Sequence, residues 1–144
     1  AGALALLLPA IYGADYTDEI DNEMFLAVQI ETKTAVENAE AILSTPGVDG
    51  CWIGPSDLAL SYGIHPRDRF TSDVHAEAVE KILQACKNTG TFAGYSTTGP
   101  DEALALAARG FQFLTVGSDA GFILKGIAAE LQQLGIDPTK QEAY

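Results

Sequence analysis

Positive charge is scarce in this chain: 8 Lys and Arg stand against 20 Asp and Glu, a formal net charge of -12. A surface that negative repels phosphate backbones and anionic lipid, so no nucleic-acid or membrane-surface partner is expected. Cysteine is scarce too. Cys51 and Cys86 have no CxxC spacing and no histidine pattern around them. They read as buried small hydrophobes in a reducing compartment rather than as metal ligands or a disulfide. Long apolar runs are missing. The apolar segment Ala1 to Leu8 is interrupted by Pro9, far short of the roughly 20 residues that span a bilayer. It also lacks the basic start of a secretory signal. It reads as a helix or strand that packs on another surface, and the chain is expected to be cytoplasmic. No GxGxxG follows any apolar run, which counts against a dinucleotide-binding unit. What is plentiful is apolar residue content, 47% over 144 residues, ample for a core.

That apolar content recurs as four strand candidates, each followed by a helical pattern. Phe25 to Ile30 leads into a helix over Thr34 to Leu43, with Thr34 and Glu37 as a capping-box pair and Val36, Ala39 and Leu43 inward. Pro46-Gly47 ends that unit. Gly50 to Ile53 is the second strand, followed by a loop over Tyr62 to Ser72 and a helix over Val74 to Lys87. Val79, Ile82, Leu83 and Cys86 form its apolar stripe. Phe92 to Ser96 is the third strand. Its helix opens at Gly99-Pro100-Asp101-Glu102, with proline at the first helical position and acids where the dipole favours them, and Gly110 closes it. Phe111 to Val116 is the fourth strand. Leu124, Ile127, Ala128 and Leu131 mark a last helix stopped at Gly135, and the tail after Ile136 is expected to fray.

Apolar strands alternating with helices imply a parallel α/β sheet, since parallel strands need crossover connections. A doubly wound sheet and a (β/α)₈ barrel both fit. Four units in about 115 residues are half of the roughly 250 that a whole barrel takes, which favours a half-barrel.

Function in such folds sits at the carboxyl ends of the strands. The first strand ends Gln29-Ile30-Glu31-Thr32, the second Gly54-Pro55-Ser56-Asp57. Glu31 and Asp57 are thus one β/α unit apart, on neighbouring strands, and converge. Two converging carboxylates repel unless a proton or cation lies between them. A hard divalent cation, Mg²⁺ or Mn²⁺ with Co²⁺ also compatible, suits two oxygen ligands with open positions, whereas zinc recruits His or Cys. On spacing alone a second reading fits equally well: a lysine pairs with Glu31, and Asp57 caps the short turn at Leu58.

The segments AVQIETKTAVENAEAILSTPGVDGCWIGPSDLALSYG and FLTVGSDAGFIL resemble the C-terminal half of the HpcH/HpaI aldolase/citrate lyase family, and the resemblance runs from about Tyr12 to Leu134. The blocks QIET and GPSDL, separated by one helix, are specific together and weak singly. The resemblance implies a partial (β/α)₈ TIM barrel, the last four β/α units, with residues 1–144 as the C-terminal half of one aldolase domain. It implies Glu31 and Asp57 as metal ligands, Gln29 as a substrate contact, and Ser56 and Asp57 as substrate-binding, the backbone N–H of Ser56 meeting the substrate carboxylate. The implied chemistry is metal-dependent retro-aldol cleavage of a small 4-hydroxy-2-oxo acid to pyruvate and an aldehyde, with no Schiff-base lysine. Lys33, Lys81, Lys87 and Lys125 fall on helical stretches and not at strand mouths, in keeping with that.

The family's catalytic histidine and its charge-balancing arginine belong to the N-terminal half of the barrel, so the catalytic residues are not assigned here. His65 and His75 read as surface residues; Arg67 and Arg69, in the loop after the second strand, read as solvated loop arginines ahead of the alternative that they approach the strand mouth. Ser118 and Asp119 read as caps of the last helix, and Trp52 and Tyr95 as packing. The low basic content argues against a CoA-ester substrate. An open half-barrel exposes two sheet edges, so a homo-oligomer is expected. The rival reading is a non-catalytic barrel fragment.

Overall fold

The computed structural model describes residues 8–137. Expectations for residues 1–7 and for the tail from residue 138 lie outside the described residues. Four short strands form one parallel sheet in sequence order, β1 (Ala27–Gln29), β2 (Gly50–Ile53), β3 (Phe92–Tyr95) and β4 (Phe113–Leu114). The register aligns Gln29 with Trp52, Trp52 with Gly94 and Gly94 with Phe113. Because side chains alternate along a strand and aligned residues share a face, the sheet has two distinct sides.

One side carries Val28, Cys51, Ala93, Ile53 and Tyr95 and faces the helices. Cys51, Ile53, Ala93 and Tyr95 are buried there with Ile82, Leu83 and Cys86. The other side is aromatic and open. Phe25 stacks on Phe92 at 4.4 Å between centroids, and Phe113 meets Trp52 edge-on at 5.1 Å. Gly94 has no side chain because a Cβ would lie 2.8 Å from the Trp52 ring. The expected packing roles hold, with Trp52 on the open face and Tyr95 on the helix side.

The helices are α1 (Tyr16–Glu23), α2 (Lys33–Glu37), α3 (Ala39–Leu43), α4 (Pro55–Ser61), α5 (Asp73–Thr89), α6 (Pro100–Arg109) and α7 (Asp119–Gln133), with a 3-10 helix over Pro66–Thr71. Ser72 caps α5 by accepting from the His75 N–H, and Gly90 ends it at φ 72°. The stripe read from sequence is buried: Val79, Ile82, Leu83 and Cys86. Proline opens α6 and Gly110 closes it, as expected.

Several expectations are corrected. The single helix over Thr34 to Leu43 is two, broken at Asn38, whose side-chain amide donates to the Thr34 carbonyl at 2.8 Å and so competes with the helical ladder. The N-cap is Thr32, accepting from the Ala35 N–H, and not the Thr34–Glu37 box. The first and fourth strands are shorter than their apolar runs, since an edge strand pairs on one side only. The loop over Tyr62 to Ser72 contains the 3-10 helix. The last helix forms and Ser118 caps it through the Gly121 N–H, but its apolar stripe is only partly covered: Ala128 and Leu131 are half-buried, while Leu124 is 66% exposed and Ile127 52%. Amphipathic spacing supplies a face to bury; the described residues supply little to bury it against.

Candidate functional site

Glu31 follows Ile30 out of β1, and Ile30 is anchored by its N–H to the Trp52 carbonyl at 2.9 Å and by complete burial. Alternation then turns Glu31 to the open face of the sheet. Beyond β2, Gly54 breaks the strand and Pro55 starts α4, which places Ser56 and Asp57 in its first turn. First-turn amides have no intrahelical acceptor and are free to bind anions.

The two strand ends meet over Gly54. The Glu31 Oε2, the Gln29 Nε2 and the Asp57 Oδ2 all lie within 3.5 Å of the point where a Cβ on residue 54 would stand. Gly54 therefore leaves a cradle lined by two carboxylate oxygens and one amide. Gln29 donates from Nε2 to the Glu31 Oε2 at 2.6 Å, which orients both side chains. The ion pairs among the described residues are Arg69–Glu102 and Arg109–Glu80. Among the described residues no lysine pairs with Glu31. Asp57 lies in the first turn of a seven-residue helix, longer than the turn assumed, and its carboxylate faces the cradle. Among the described residues no third His, Cys, Asp or Glu completes a metal cluster, so a cation here would retain positions for water or a chelating ligand. The donor set fits a hard divalent ion.

A cavity of about 260 Å³ opens beside the cradle, lined by Gln29, Ser56, Asp57, Trp52, Arg69 and Thr98 among others. Its far wall is stitched together. The Thr98 N–H and hydroxyl donate to Glu102 Oε2 at 2.8 and 2.9 Å, and Glu102 Oε1 faces Arg69 at 3.7 Å. Thr97 is buried and its hydroxyl bonds the Thr115 carbonyl.

Arg69 was expected in solvent; it is 8% exposed, because the 3-10 helix packs against α4 and α5 and the guanidinium lies on the Phe70 ring. Arg67 is exposed, as is His65, whose Nδ1 caps the 3-10 helix by accepting from the Arg67 N–H. His75 is also corrected. It is 4% exposed, and its Nε2 lies 3.1 Å from the Pro55 carbonyl, to which it donates as the Nε2–H tautomer. Burial pushes its pKa below the ordinary 6.5, opposed by that hydrogen bond. A sequence signal for this existed: His75 precedes Val79, Ile82 and Cys86 on the buried stripe of α5. For Arg69 the signal was its place in the loop that follows the second strand end, the weaker of the two readings.

Lys33, Lys81, Lys87 and Lys125 are helical as read. Lys125 nevertheless lines a second cavity of about 360 Å³ with Ser96, Thr97 and Ser118, so it does approach the strand ends. Cys51 and Cys86 are buried and free. Their sulfurs are 3.5 Å apart, and this contact together with burial keeps the Cys51 thiol protonated.

A parallel β/α sheet with an acidic cradle at its carboxyl ends is the class of site used by β/α-barrel enzymes. The model of the HpcH/HpaI aldolase/citrate lyase family matches residues 12–125. The chain belongs to that family. It is 32% identical over 133 residues to the 2-keto-3-deoxy-L-rhamnonate aldolase of Klebsiella pneumoniae, covering 90% of this chain and 49% of the relative. It is 37% identical over 109 residues to the hydroxypyruvate/pyruvate aldolase of Chromohalobacter salexigens, covering 76% and 42%. A crystal structure of an HpcH/HpaI aldolase/citrate lyase family protein from Burkholderia cenocepacia superposes with a TM-score of 0.79 at 28% identity, covering 88% of this chain and 49% of that one. The chain thus spans about half the length of the curated relatives it matches, and its four-stranded sheet is consistent with part of a (β/α)₈ barrel.

Proposed function

We propose that the chain carries the metal- and 2-oxo-acid-binding part of a carbon–carbon lyase that cleaves a 4-hydroxy-2-oxo acid to pyruvate and an aldehyde. The observation that carries this reading is the convergence of Glu31, Asp57 and Gln29 on the space left by Gly54, in a member of an aldolase/lyase family. Residues 1–144 are taken as the C-terminal half of one (β/α)₈ domain, assembled as a homo-oligomer in the cytoplasm.

Glu31 and Asp57 would hold Mg²⁺ or Mn²⁺, which supplies Lewis acidity to the keto group of the bound 2-oxo acid. Gln29, oriented by Glu31, offers its amide to the same substrate. The first-turn N–H of Ser56 meets the substrate carboxylate at the positive end of α4. Asp57, besides helping to hold the cation, would border the substrate from the cavity wall. The proton transfer at the C4 hydroxyl falls to groups of the N-terminal half of the barrel. His75 is unsuited to it, since its Nε2 is committed to Pro55. A non-catalytic fragment is the second reading, favoured by the exposed Leu124 and Ile127 of α7. A coupled assay for pyruvate release separates the two.

Isothermal titration tests the site. Mn²⁺ should bind in the micromolar-to-millimolar range, and Glu31→Ala or Asp57→Ala should abolish it, whereas Glu37→Ala on α2 should not. Pyruvate, or oxalate as its enolate mimic, should bind only with metal present, and more weakly in Gln29→Ala. Unchanged Mn²⁺ binding in both carboxylate variants would sink the assignment.

A further inference from the structure

We infer that Arg69 forms a second oxyanion subsite in the cavity beside Glu31 and Asp57, selecting 2-oxo acids that carry a negative group at the end remote from the keto acid. This rests on the reading of the cradle as a metal and 2-oxo-acid site. Arg69 lines the same cavity as Gln29 and Asp57, together with Ser96 and Thr98.

The case begins with how poorly Arg69 is satisfied for so buried a cation. It is 8% exposed, and a guanidinium has five N–H donors. One end reaches the Pro66 carbonyl at 3.5 Å, the other reaches Glu102 Oε1 at 3.7 Å, the guanidinium also faces the Tyr95 hydroxyl, and the buried Nε has no partner. The Phe70 ring, 3.7 Å away, covers one face. Glu102 is already engaged through its other oxygen by Thr98, so it compensates the arginine only in part. Strong arginine–carboxylate pairs are bidentate at about 2.7–2.9 Å, and no contact here is of that kind. Buried charges are ordinarily paired and hydrogen-bonded. A carboxylate entering the cavity would complete Arg69, with the Ser96 hydroxyl at hand, while the Thr98 hydroxyl stays committed to Glu102.

The location gives this chemical meaning. Glu31 and Asp57 with their cation would hold the 2-oxo acid end, and Arg69 stands elsewhere on the wall of the same cavity. A substrate filling it therefore presents its remaining carbons toward a fixed positive charge. Neutral chains of equal length leave that charge only partly compensated by Glu102, so discrimination follows from the desolvated arginine rather than from cavity shape.

Titration of the 144-residue chain in Mn²⁺ with pyruvate, 2-oxopentanoate and 2-oxoglutarate tests the inference. The last two share a carbon count and differ in the terminal carboxylate. 2-Oxoglutarate should bind about tenfold or more tighter than 2-oxopentanoate, the order expected of one charge-assisted pair. In R69Q that ratio should fall to about one while Mn²⁺ alone still binds, and R69K should restore part of it. If R69Q binds no Mn²⁺ because it does not fold, E102Q decides, since removing the paired carboxylate should raise the ratio. A ratio near one in the unmodified chain, a ratio retained in a folded R69Q, or one not raised in E102Q where that variant decides overturns the inference and leaves the cradle standing. Failure of pyruvate itself to bind with Mn²⁺ overturns the cradle reading and this one with it.

Discussion

Gly54 has backbone angles any residue adopts, φ -89° and ψ 95°, so its lack of a side chain matters for space and not for conformation. A methyl there would stand 2.5 Å from the Glu31 Oε2. Gly54→Ala should therefore push Glu31 out of the cradle and weaken Mn²⁺ binding tenfold or more by titration, with little change in helix content by circular dichroism. Unaltered Mn²⁺ affinity would mean that the acids do not act together over this glycine. His75 gives a pH test. Its folded pKa is depressed by burial, so the unfolded chain takes up the proton first as pH falls. The stability it contributes is full above the ordinary value of 6.5 and is lost as pH falls below it. The melting temperature should drop on acidification from about pH 7.5 to about 5.5, and His75→Gln, which can still donate to Pro55, should flatten that slope. An unchanged slope in the variant would assign the acid sensitivity to carboxylates.

At the scale of elements, the connection from β1 to β2 shows how local chemistry sets boundaries. Thr32 caps α2 through the Ala35 N–H at 3.2 Å, directly after Glu31. Thr32→Ala should cost about 1 kcal/mol in chemical denaturation, and Thr34→Ala should stay within about 0.5 kcal/mol. The reverse order would restore the capping box read from the sequence. That box was a reasonable reading because Thr34 and Glu37 have the right spacing; Thr32 has the right backbone, extended at φ -124° and ψ 151°. Spacing is visible in a sequence and backbone angles are not. The same limit explains Asn38, whose side-chain bond to Thr34 divides one apolar stripe between two helices.

For the whole molecule, two surfaces stand open. Among the described residues β1 and β4 each pair on one side only, and the aromatic side of the sheet joins Phe25 at 52% exposure with Phe113 at 48%. With Phe122, Ile123, Leu124 and Ile127 of α7 also exposed, the apolar surface is of the kind that monomers rarely tolerate. The purified chain is expected to associate with itself or to need a separately supplied N-terminal half, which should also raise metal-dependent pyruvate release. Light scattering beside a coupled pyruvate assay checks both. A monodisperse monomer with full turnover would defeat the half-barrel reading together with the placement of the proton-transferring groups.

By itself the sequence determined the order of strands and helices, the buried stripe of α5, and the pair of acidic strand ends. These follow from periodicity and from punctuation by glycine and proline, which act over a few neighbouring residues. QIET and GPSDL also carried the family. Only the tertiary structure decided that the meeting point of Glu31 and Asp57 is the space left by Gly54, with Gln29 bonded to Glu31 there, that His75 and Arg69 are buried, and that Leu124 and Ile127 of α7 are uncovered. Those facts depend on which distant segments pack together. A residue's neighbours in space are set by the parallel register of the strands and the fold-back of the 3-10 helix, which local pattern does not encode.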